Sequence, residues 1–412
     1  MHVSIIGAGI IGLQSAHALM DDGHTVTLFD PDGLAQRTSA RNAGYIAHTD
    51  ILPLASPKVW RHLPGWLIDP LGPLAIRPAY GLRVLPFMLR FLAASTPARI
   101  EASTLALIGL QGLALPAWER RLAKLGLGEK HLRRKGFLNV FPSASAIAAS
   151  ASVFARQRQV GIEVELLQDS ASVRRLEPAL SARVAAAAFY PGGVSVDDPA
   201  VICAAIGEAA VARGAVLVKR SVSAVTPVEG GVEITGTDGQ THSSDMAVIA
   251  AGAWSKPLAA RLGDRIPLDT ERGYNITLPK GSLGLERPVI FEGQGFVSSP
   301  LDTGDRIGGA VEFAGLEAAP NYARLDAILA RAKAYLPDAK FEGGTRWMGF
   351  RPSLPDSLPV ISRSAKSDRI LYAFGHGHYG LTQSAATGEL AAQLAAQRQT
   401  AIDLMPFAAG RF

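Results

Sequence analysis

The N-terminal part of the chain alternates between short apolar runs and one helical pattern. Residues 3–6 and residues 25–29 are apolar, β-branched runs, and each predicts a buried strand. Between them, residues 11–22 carry apolar side chains at helical spacing and stop before Gly23. The apolar positions on one face of this helix are Leu13, Ala16 and Leu19. The pattern therefore predicts a strand–helix–strand unit.

The rest of the chain also alternates between helical spacing and strand-like apolar runs, but strand-like runs dominate its middle. Residues 52–130 begin with prolines at positions 53, 57, 64, 70, 73 and 78 before helical periodicity takes over. Helices are also predicted at residues 144–159, 199–214, 320–336 and about 382–397. Strands are predicted within residues 136–141, 216–228, 232–249, 273–313 and 370–374, with turns at Asp238-Gly239 and Asp302-Thr303-Gly304. The mainly antiparallel middle predicts a second domain interleaved with the first.

The composition of the 412-residue chain narrows its class. Apolar residues make up 48% and charged residues 19%, which indicates a globular protein with a substantial core. The net charge of +5 comes without a long basic run, and the clusters Arg120-Arg121 and Arg133-Arg134-Lys135 are typical of solvated surfaces. We therefore expect no nucleic-acid partner. The small excess of basic over acidic residues fits an anionic small molecule or a weakly anionic membrane surface better than a nucleic acid.

The only cysteine, Cys203, excludes a disulfide within the chain and a cysteine metal cluster. It lies in an apolar stretch, which predicts buried packing, and such sparse cysteine use favours a reducing compartment. The first apolar run has no basic leader before it, and no run reaches about 18 apolar residues. We expect a cytoplasmic protein without a spanning helix, with peripheral contact at the inner face of the cytoplasmic membrane as an open alternative.

Three glycines at the first predicted turn have the spacing of a dinucleotide cradle. Gly7, Gly9 and Gly12 form G-x-G-x-x-G between the first strand and the first helix. The first glycine permits a tight turn, the second lets the backbone approach a pyrophosphate, and the third allows close helix–strand packing. The helix N-terminus favours the anion, and Asp30 at the end of the second strand is expected to bind an adenosine ribose. The cradle alone does not separate NAD from FAD.

Four further segments make that distinction. Residues 37–44 are RTSARNAG, residues 248–255 are VIAAGAWS, residues 349–356 contain GFRP and PD, and residues 375–380 are GHGHYG. In this order, with the cradle, they resemble the D-amino-acid-oxidase-like (DAO) family of FAD oxidoreductases, most closely its bacterial D-amino-acid dehydrogenases. The resemblance covers nearly the whole chain and implies FAD as the cofactor.

The resemblance also implies the architecture. We expect an α/β (α+β) fold, in which a Rossmann-like FAD-binding domain of the glutathione-reductase type is interleaved with a mainly antiparallel β-sheet substrate domain. The expected FAD-binding domain comprises residues 1–90, 142–263 and 343–412. The expected substrate-binding domain comprises residues 91–141 and 264–342.

By position, the resemblance implies which residues hold the cofactor. Residues 39–44 would run beside the pyrophosphate and under the flavin, Val222 would pair its backbone with adenine, and residues 375–382 would wrap the pyrimidine end of the flavin. The residues expected to bind FAD are Gly7, Gly9, Ile10, Ile11, Gly12, Asp30, Ser39, Ala40, Asn42, Ala43, Gly44, Val222, Ala251, Gly252, Gly375, His376, Gly377, Gly380, Leu381 and Thr382.

Three residues are expected to act on the substrate. The resemblance implies that Arg351 grips a carboxylate, which suits the two parallel hydrogen bonds of a guanidinium. Tyr274 is predicted to present its hydroxyl to the substrate, and His378 to hydrogen-bond substrate or flavin. Tyr45 and His48 follow the flavin segment, where a substrate-facing role and a structural role fit equally well.

The segment at residues 375–380 has two other interpretations. It matches G-x-G-x-x-G, but no strand with a terminal acid follows, so we reject a second dinucleotide site. His376 and His378 have the spacing of a metal pair, but no third ligand is evident, so we expect no metal. A helix N-terminus directed at the flavin, where it stabilises the negative charge of the reduced cofactor, is the preferred interpretation.

The expected reaction is oxidation of the Cα–N bond of a small D-amino or D-imino acid, with D-proline and 4-hydroxy-D-proline as candidates. A neutral amine would lose its α-hydrogen as hydride to flavin N5, and water would hydrolyse the imine to a keto acid and ammonia. With a proline-like substrate, a cyclic imine would persist instead. The resemblance implies a respiratory quinone or carrier as electron acceptor. Two alternatives remain: a glycine- or sarcosine-type oxidase that uses oxygen, and a flavin-binding subunit of a larger complex.

Two further expectations concern the surface and the cofactor linkage. Residues 81–95 are strongly apolar but contain Arg83 and Arg90, so they form either a core helix, which we prefer, or a surface helix that contacts a membrane. Pro86 argues against a long regular helix there. FAD is expected to be held without a covalent bond, because Cys203 lies far from the flavin segments in sequence, and a link through a histidine is the open alternative. The sequence leaves the oligomeric state open.

Overall fold

The computed structural model describes residues 1–55, 72 and 74–412, so four of the prolines that introduce the second region, at positions 57, 64, 70 and 73, lie outside the described residues. The helices are α1 (Ile10–Asp21), α2 (Gly81–Ala94), α3 (Pro97–Lys124), α4 (Ala144–Ala148), α5 (Ala151–Gln159), α6 (Ser170–Leu176), α7 (Pro199–Ala212), α8 (Ser255–Arg261), α9 (Ala323–Ala332) and α10 (Gly380–Ala395).

The strands are β1 (His2–Ile6), β2 (Thr25–Phe29), β3 (Tyr45–Ile46), β4 (Leu74–Ile76), β5 (Leu132–Arg133), β6 (Phe137–Phe141), β7 (Glu165–Leu167), β8 (Ala186–Tyr190), β9 (Val194–Val196), β10 (Val216–Val218), β11 (Val222–Val228), β12 (Gly231–Gly236), β13 (Thr241–Ser244), β14 (Met246–Ile249), β15 (Asp269–Leu278), β16 (Val289–Phe291), β17 (Phe296–Leu301), β18 (Gly304–Phe313), β19 (Thr345–Ser353), β20 (Val360–Arg363) and β21 (Ile370–Phe374).

The first layer is a six-stranded sheet in the order β10-β2-β1-β14-β21-β20, parallel except for β20. Its central strands are buried except at His2, the first residue of β1, as expected when both faces of a parallel sheet are covered. Helices α1 and α10 pack against each other beside it, and β11, β12 and β13 form a separate antiparallel sheet. Because parallel strands share one carboxyl edge, this sheet gathers the ends of β1, β2, β14 and β21.

The second layer is a larger mixed sheet in the order β19-β15-β18-β17-β16-β6-β8-β7, with β4 added beside β18. Most of its pairs are antiparallel, as predicted for the middle of the chain. Helix α9 packs on β15 and β18, and an apolar cluster that includes Leu325 and Ile328 fills this interface. The other face of β15 is therefore left for the functional site.

The predicted elements are confirmed with local differences. The first strand–helix–strand unit, the strand at residues 370–374 and both turns occur where the periodicity places them. The helix predicted over residues 144–159 is interrupted at Ala149-Ser150 into α4 and α5. Residues 232–249 contribute to two sheets, because β14 leaves the hairpin and joins the parallel layer. The strand β19, which carries Arg351, was not predicted.

Three segments join a different sheet or apolar cluster from the one that the expected domain boundaries give them. Helix α3 was assigned to the substrate domain, but Leu107, Leu110 and Trp118 share one apolar cluster with the first sheet. Strands β7 and β8 were assigned to the FAD-binding domain, but they lie in the larger sheet. Strand β19 was assigned to the same domain and pairs with β15. Short apolar strands carry no sequence signal for which sheet they join, and that choice depends on long-range pairing.

One described helix, α3, has the length and apolarity of a membrane-crossing segment, and 39% of its most apolar window is buried in the protein. Trp118 Nε1 donates to the Leu381 carbonyl at 2.9 Å, and Arg121 Nη1 donates to Asp21 Oδ2 at 2.8 Å. These contacts account for α3 as a packed helix of the fold. The absence of a spanning helix stays a prediction.

Helix α2 differs from the preferred expectation of a core helix. Val84 and Phe87 are buried against Phe313, but Leu82 on the other face is 88% exposed. Pro86 lies inside the helix without ending it. The segment at residues 81–95 is therefore a surface helix with one buried face.

Candidate active site

A cavity of about 420 Å³ is bordered by residues of both large sheets. From the parallel sheet come the ends of β1, β2, β14 and β21, and from the larger sheet come residues of β15, β18 and β19. The position at the carboxyl ends of parallel strands is the usual place for a dinucleotide in such sheets. The volume lies in the range of small-molecule and cofactor sites.

The glycine cradle has the geometry that the spacing predicts. Gly7 has φ +107°, and a Cβ there would lie 2.4 Å from the Ala250 carbonyl oxygen. A Cβ on Gly12 would lie 1.9 Å from the Gly7 carbonyl oxygen, so the start of α1 touches the turn that precedes it. The first turn of α1 carries no acidic side chain, and Gly9, Ile10 and Ile11 border the cavity. The cradle therefore fits an anionic pyrophosphate.

Asp30 holds the cradle from the second strand. Its Oδ2 accepts a hydrogen bond from Ala8 N at 2.9 Å, and its Oδ1 accepts one from Asp32 N at 3.0 Å. Burial raises the pKa of this carboxyl, while the two backbone donors oppose the rise. The side chain also borders the cavity, where the ribose contact was predicted.

The segment from Arg37 to Gly44 closes over the start of α1. Ser39 Oγ accepts from Ile10 N at 2.9 Å. Asn42 Nδ2 donates to the Ser39 carbonyl at 2.8 Å, and its Oδ1 accepts from Gly44 N at 2.9 Å, so this side chain shapes the loop. Ser39, Asn42, Ala43 and Gly44 border the cavity, whereas Ala40 does not.

The middle segment reaches the cavity through Val222, Ala251 and Gly252. Val222 begins β11 and lies opposite Gly236. Gly252 has φ +53° and starts a short 3₁₀ turn that ends at Trp254. The guanidinium of Arg37 lies 4.3 Å from the centre of the Trp254 ring, a contact that ties this turn to the loop before Ser39 and that the sequence did not predict.

The C-terminal glycine segment contributes backbone and the start of α10. Gly375 has φ +89°, Gly377 has φ +51°, and both border the cavity with Gly380 and Leu381. The helix begins at Gly380, which supports the prediction of a helix N-terminus at this site. Thr382 does not border the cavity, because its Oγ1 accepts from Ala47 N at 2.9 Å.

The two histidines of this segment have different surroundings. His376 is buried, its Nε2 lies 2.9 Å from Thr387 Oγ1, and burial lowers its pKa to about 3. Its ring therefore packs against α10, although the residue borders the cavity. His378 Nε2 lies 2.8 Å from Glu271 Oε2. Within the described part of the chain, no group of three His, Cys, Asp or Glu side chains could hold a metal.

Arg351 reaches the cavity from β19. Glu271 of β15 is its register partner, and Arg351 Nη1 donates to the Ala310 carbonyl at 3.0 Å. A Cβ on Gly273 would lie 2.3 Å from Arg351 Nη2, so the guanidinium lies directly across the bare backbone of β15. Burial lowers the pKa of Arg351, and Glu271 opposes this shift. Among the described residues, none forms an ion pair with Arg351.

Glu271 is a site residue that sequence reasoning missed. It is buried, and burial would raise its pKa, but the hydrogen bond from His378 and the charge of Arg351 hold its pKa below the ordinary value. It lies between the two side chains that were predicted to act on the substrate. No motif marks it, because only the register of β15 and β19 brings it there.

The Tyr274 hydroxyl, which was predicted to face the substrate, is engaged within the protein. Tyr274 borders the cavity, but it is 1% exposed and belongs to the apolar cluster under α9. The hydroxyl donates to Glu312 Oε2 at 2.5 Å and accepts from Asn321 N at 3.0 Å. Neighbouring strand residues point to opposite faces, and Gly273 occupies the cavity face. Both hydrogen bonds of the Tyr274 hydroxyl are therefore made within the protein.

Tyr45, His48 and Cys203 were also considered in the sequence, and the structure places each of them. Tyr45 borders the cavity, and burial raises its pKa. His48 does not border it, and its Nδ1 lies 3.1 Å from the Ile46 carbonyl. Cys203 is fully buried as predicted, but it is not remote from the flavin segments, because Sγ contacts the Ser39 carbonyl at 3.6 Å. Burial raises the pKa of this thiol, which keeps it unreactive.

Two further cavity residues had no sequence signal. The Trp347 indole lies over Gly349, where a Cβ would come within 1.8 Å of the ring, and both residues border the cavity. Arg306 is buried and its Nη1 donates to the Asn42 carbonyl at 2.7 Å, which joins the flavin segment to β18. The position of each side chain at the cavity depends on which face of its strand turns inward, and the sequence does not show this.

Several known proteins are similar to this chain in sequence or in fold. A protein named D-amino-acid oxidase from Bradyrhizobium diazoefficiens is 37% identical, over 100% of this chain and 99% of its own. D-amino acid dehydrogenase 2 from Ralstonia nicotianae is 29% identical, with both chains fully covered. Among solved structures, glycine oxidase from Geobacillus kaustophilus has a TM-score of 0.75 at 23% identity, covering 100% of this chain and 98% of that one.

L-proline dehydrogenase from P. horikoshii has a TM-score of 0.76 at 18% identity, with 100% and 97% of the two chains covered. At these identities the structural likeness establishes the fold. Residues 2–394 match the family described as FAD dependent oxidoreductase (DAO). With the glycine cradle and the cavity at the strand ends, this match shows that the chain belongs to the DAO family of FAD-dependent oxidoreductases.

Proposed function

We propose that this protein is a dehydrogenase that oxidises the Cα–N bond of a small D-amino or D-imino acid to an imine, which water hydrolyses to a keto acid. Relatives named for D-amino acids at 37%, 31% and 29% identity support the substrate class. D-proline and 4-hydroxy-D-proline are the candidate substrates that we would test first.

The observation that carries the proposal is the position of Arg351. Its guanidinium lies across Gly273 at the cavity, with one donor used by the Ala310 carbonyl. A partly buried guanidinium without an ion-pair partner among the described residues is costly unless a ligand supplies a carboxylate. A substrate carboxylate can accept two parallel hydrogen bonds from this side chain. Arg351 would therefore fix the substrate by its carboxylate.

His378 is proposed to act beside the substrate amine. When its Nε2–H donates to Glu271, the neutral ring keeps Nδ1 as an acceptor, so the carboxylate selects the tautomer. An amine must be neutral before the α-carbon can be oxidised, and Nδ1 is suited to receive a proton from an ammonium. Bound FAD supplies the two-electron acceptor for the hydrogen on that carbon.

FAD is proposed to be held by non-covalent contacts. Cys203 is buried behind Ser39 and does not border the cavity, so it is badly placed to bond the cofactor. His376 is engaged with Thr387. Precipitation with acid should release all yellow colour into the supernatant, and colour retained in the pellet would contradict the proposal.

The test is a panel of D- and L-amino acids, including imino acids, with an artificial dye as electron acceptor. We expect turnover with small D-substrates and little with their L-enantiomers. Equal rates for both enantiomers, or no activity with any substrate, would refute the assigned substrate class; the latter result would favour a subunit of a larger complex.

The second candidate is an oxidase, because the relative with 37% identity is named D-amino-acid oxidase. An oxidase and a dehydrogenase share every residue discussed above. Peroxide formation separates them: a dehydrogenase should reduce the dye much faster than oxygen, and stoichiometric peroxide without dye would establish the oxidase.

A further inference from the structure

Four residues that border the cavity form a closed ring of contacts. The Arg37 guanidinium lies 4.3 Å from the centre of the Trp254 ring, and the Trp254 and Phe350 ring centres lie 5.6 Å apart, edge to face. Thr38 Oγ1 donates to the Phe350 carbonyl at 3.0 Å, and Thr38 is the neighbour of Arg37 in the chain. We call Arg37, Thr38, Trp254 and Phe350 the clasp. Each member of the clasp is therefore held by two others.

The clasp bridges the strand that carries the glycine cradle. Arg37 lies in the loop after β2, and Trp254 ends the short turn after β14. Strand β1 lies between these two strands in the parallel sheet, and the cradle follows it directly. Because the three parallel strands end at one edge, the contact between Arg37 and Trp254 runs from one side of the cradle to the other. A phosphate bound at the cradle would lie close to the clasp.

The Arg37 side chain has hydrogen-bond donors that no described residue uses. Its Nε donates to Asp32 Oδ2, and the side chain is 49% exposed. Neither Nη atom makes a hydrogen bond within the described part of the chain. The Trp254 ring contacts the face of the guanidinium, so the N–H groups at its edge can still reach an acceptor. Such an edge matches the oxygens of a phosphate.

We propose that Arg37 binds a phosphate of FAD, that Trp254 is the positioning residue for its guanidinium, and that the clasp slows release of the cofactor. The cradle would supply backbone N–H groups to the pyrophosphate, and Arg37 would add a charged donor that is independent of them. A donor that is held in place before binding adds affinity, because less side-chain freedom is lost when the ligand arrives. The inference rests on FAD as the cofactor of the family and not on the substrate proposed above, so a failed substrate panel would leave it standing.

The first test is the rate at which FAD leaves the loaded protein after dilution, followed by the rise in flavin fluorescence. The test variant is Arg37→Gln, which removes the charge. The matched control is Arg398→Gln, because Arg398 is 53% exposed, pairs with Asp22 and does not border the cavity. We expect release to be at least tenfold faster in Arg37→Gln and unchanged in the control. Equal release rates in the parent and Arg37→Gln proteins would overturn the phosphate contact.

The second test separates charge from packing. FAD release from the loaded proteins is measured at low and at high salt, since salt screens an exposed charge pair. Release from the parent protein should accelerate as salt rises, and release from Arg37→Gln should respond clearly less. Arg37→Lys should fall between the two, because its ammonium keeps the charge but not the paired donors. The same salt response in the parent and Arg37→Gln proteins would mean that Arg37 acts only by packing, which overturns the phosphate contact.

The third test concerns Trp254, with Trp254→Leu alone and combined with Arg37→Gln. The single change should accelerate FAD release about threefold, because the guanidinium loses its aromatic support. The combined variant should release FAD no faster than Arg37→Gln alone, since a positioning residue acts through the residue that it holds. Additive effects would overturn the positioning role.

Melting temperatures of the FAD-saturated proteins show whether each variant is folded. If Trp254→Leu does not fold, Trp254→Phe takes its place, because it keeps an aromatic ring beside Phe350 but offers the guanidinium a weaker face. It should accelerate release in the parent protein and not in the Arg37→Gln protein. Acceleration in both backgrounds would overturn the positioning role in the same way.

Discussion

The proposed nucleotide end and the proposed substrate end of the cavity are formed by different parts of the chain. The nucleotide end consists of backbone, in which Gly7 and Gly12 allow approaches that any Cβ would block. The substrate end consists of side chains from separate strands, where Arg351 crosses Gly273 and Glu271 holds His378. One end is encoded within a short stretch of sequence, and the other by the register of β15 and β19.

This difference predicts two kinds of defect. A change in the cradle alters the contact between α1 and β1 and should therefore remove the cofactor together with part of the stability. A change at the substrate end should leave the cofactor bound and alter kinetics. The following substitutions test this separation, in order of decreasing effect.

The largest effect is expected for Gly12→Ala. The added Cβ would lie 1.9 Å from the backbone oxygen of Gly7, and backbone cannot move aside as a flexible side chain can. We expect loss of FAD, with a decrease of about 100-fold or more in affinity, and a lower melting temperature, since overpacking of this kind costs about 1–3 kcal/mol or more. The ratio of flavin to protein absorbance after gel filtration measures retention.

The control is Gly112→Ala, which also adds a methyl group to a helical glycine. Gly112 lies within α3, and its Cβ would meet no atom within 4 Å. This change should leave FAD bound and stabilise the helix by about 0.5–1 kcal/mol. Full flavin content in the Gly12→Ala protein would show that the cradle is not as tight as its geometry indicates.

At the substrate end, Arg351→Ala should have the largest effect. Loss of a buried, hydrogen-bonded charge partner costs about 2–5 kcal/mol, so kcat/KM should fall by about 100-fold or more, mainly through KM. FAD content should stay normal. Arg346→Ala is the control on the same strand, because Arg346 forms only an exposed ion pair with Asp326 and should change kinetics little. Normal KM in the Arg351→Ala protein would remove its assigned role.

The same division explains what the sequence could predict. The backbone geometry of the cradle could be predicted because a positive φ at Gly7 and a close approach at Gly12 are local demands that only glycine meets. Glu271 was missed because nothing near it in sequence marks a partner for His378. The packing of the Tyr274 side chain under α9 could not be predicted, because the alternation of a strand gives two faces but not which one turns inward. A shift of one residue separates Tyr274 from Gly273, whose bare backbone lies against the Arg351 guanidinium.

The Gly273→Ala substitution tests the difference between the two ends of the cavity, because Gly273 is a glycine at the proposed substrate end. Its Cβ would lie 2.3 Å from the Arg351 guanidinium, which is the end of a flexible side chain and can shift. We expect FAD to stay bound and KM to rise about tenfold, consistent with a loss of about 1–2 kcal/mol. Gly192→Ala, where a Cβ meets no atom within 4 Å, is the control. A loss of FAD here, rather than a rise in KM, would erase the distinction between the two ends.

The smallest effect is expected for Glu271→Gln, and it depends on pH. His378 and Arg351 hold the pKa of Glu271 below its ordinary value despite burial, so the ionised form is favoured in the folded protein. The stability that the ionised Glu271 carboxylate adds to the folded protein is fully present above the unfolded-state pKa of about 4.3. It is lost as pH falls through the folded-state pKa. Denaturant titrations should therefore show the variant about 1 kcal/mol less stable near pH 7, with the difference shrinking below about pH 4. A difference that stays constant down to the acid transition would mean that Glu271 acts through packing rather than through its charge.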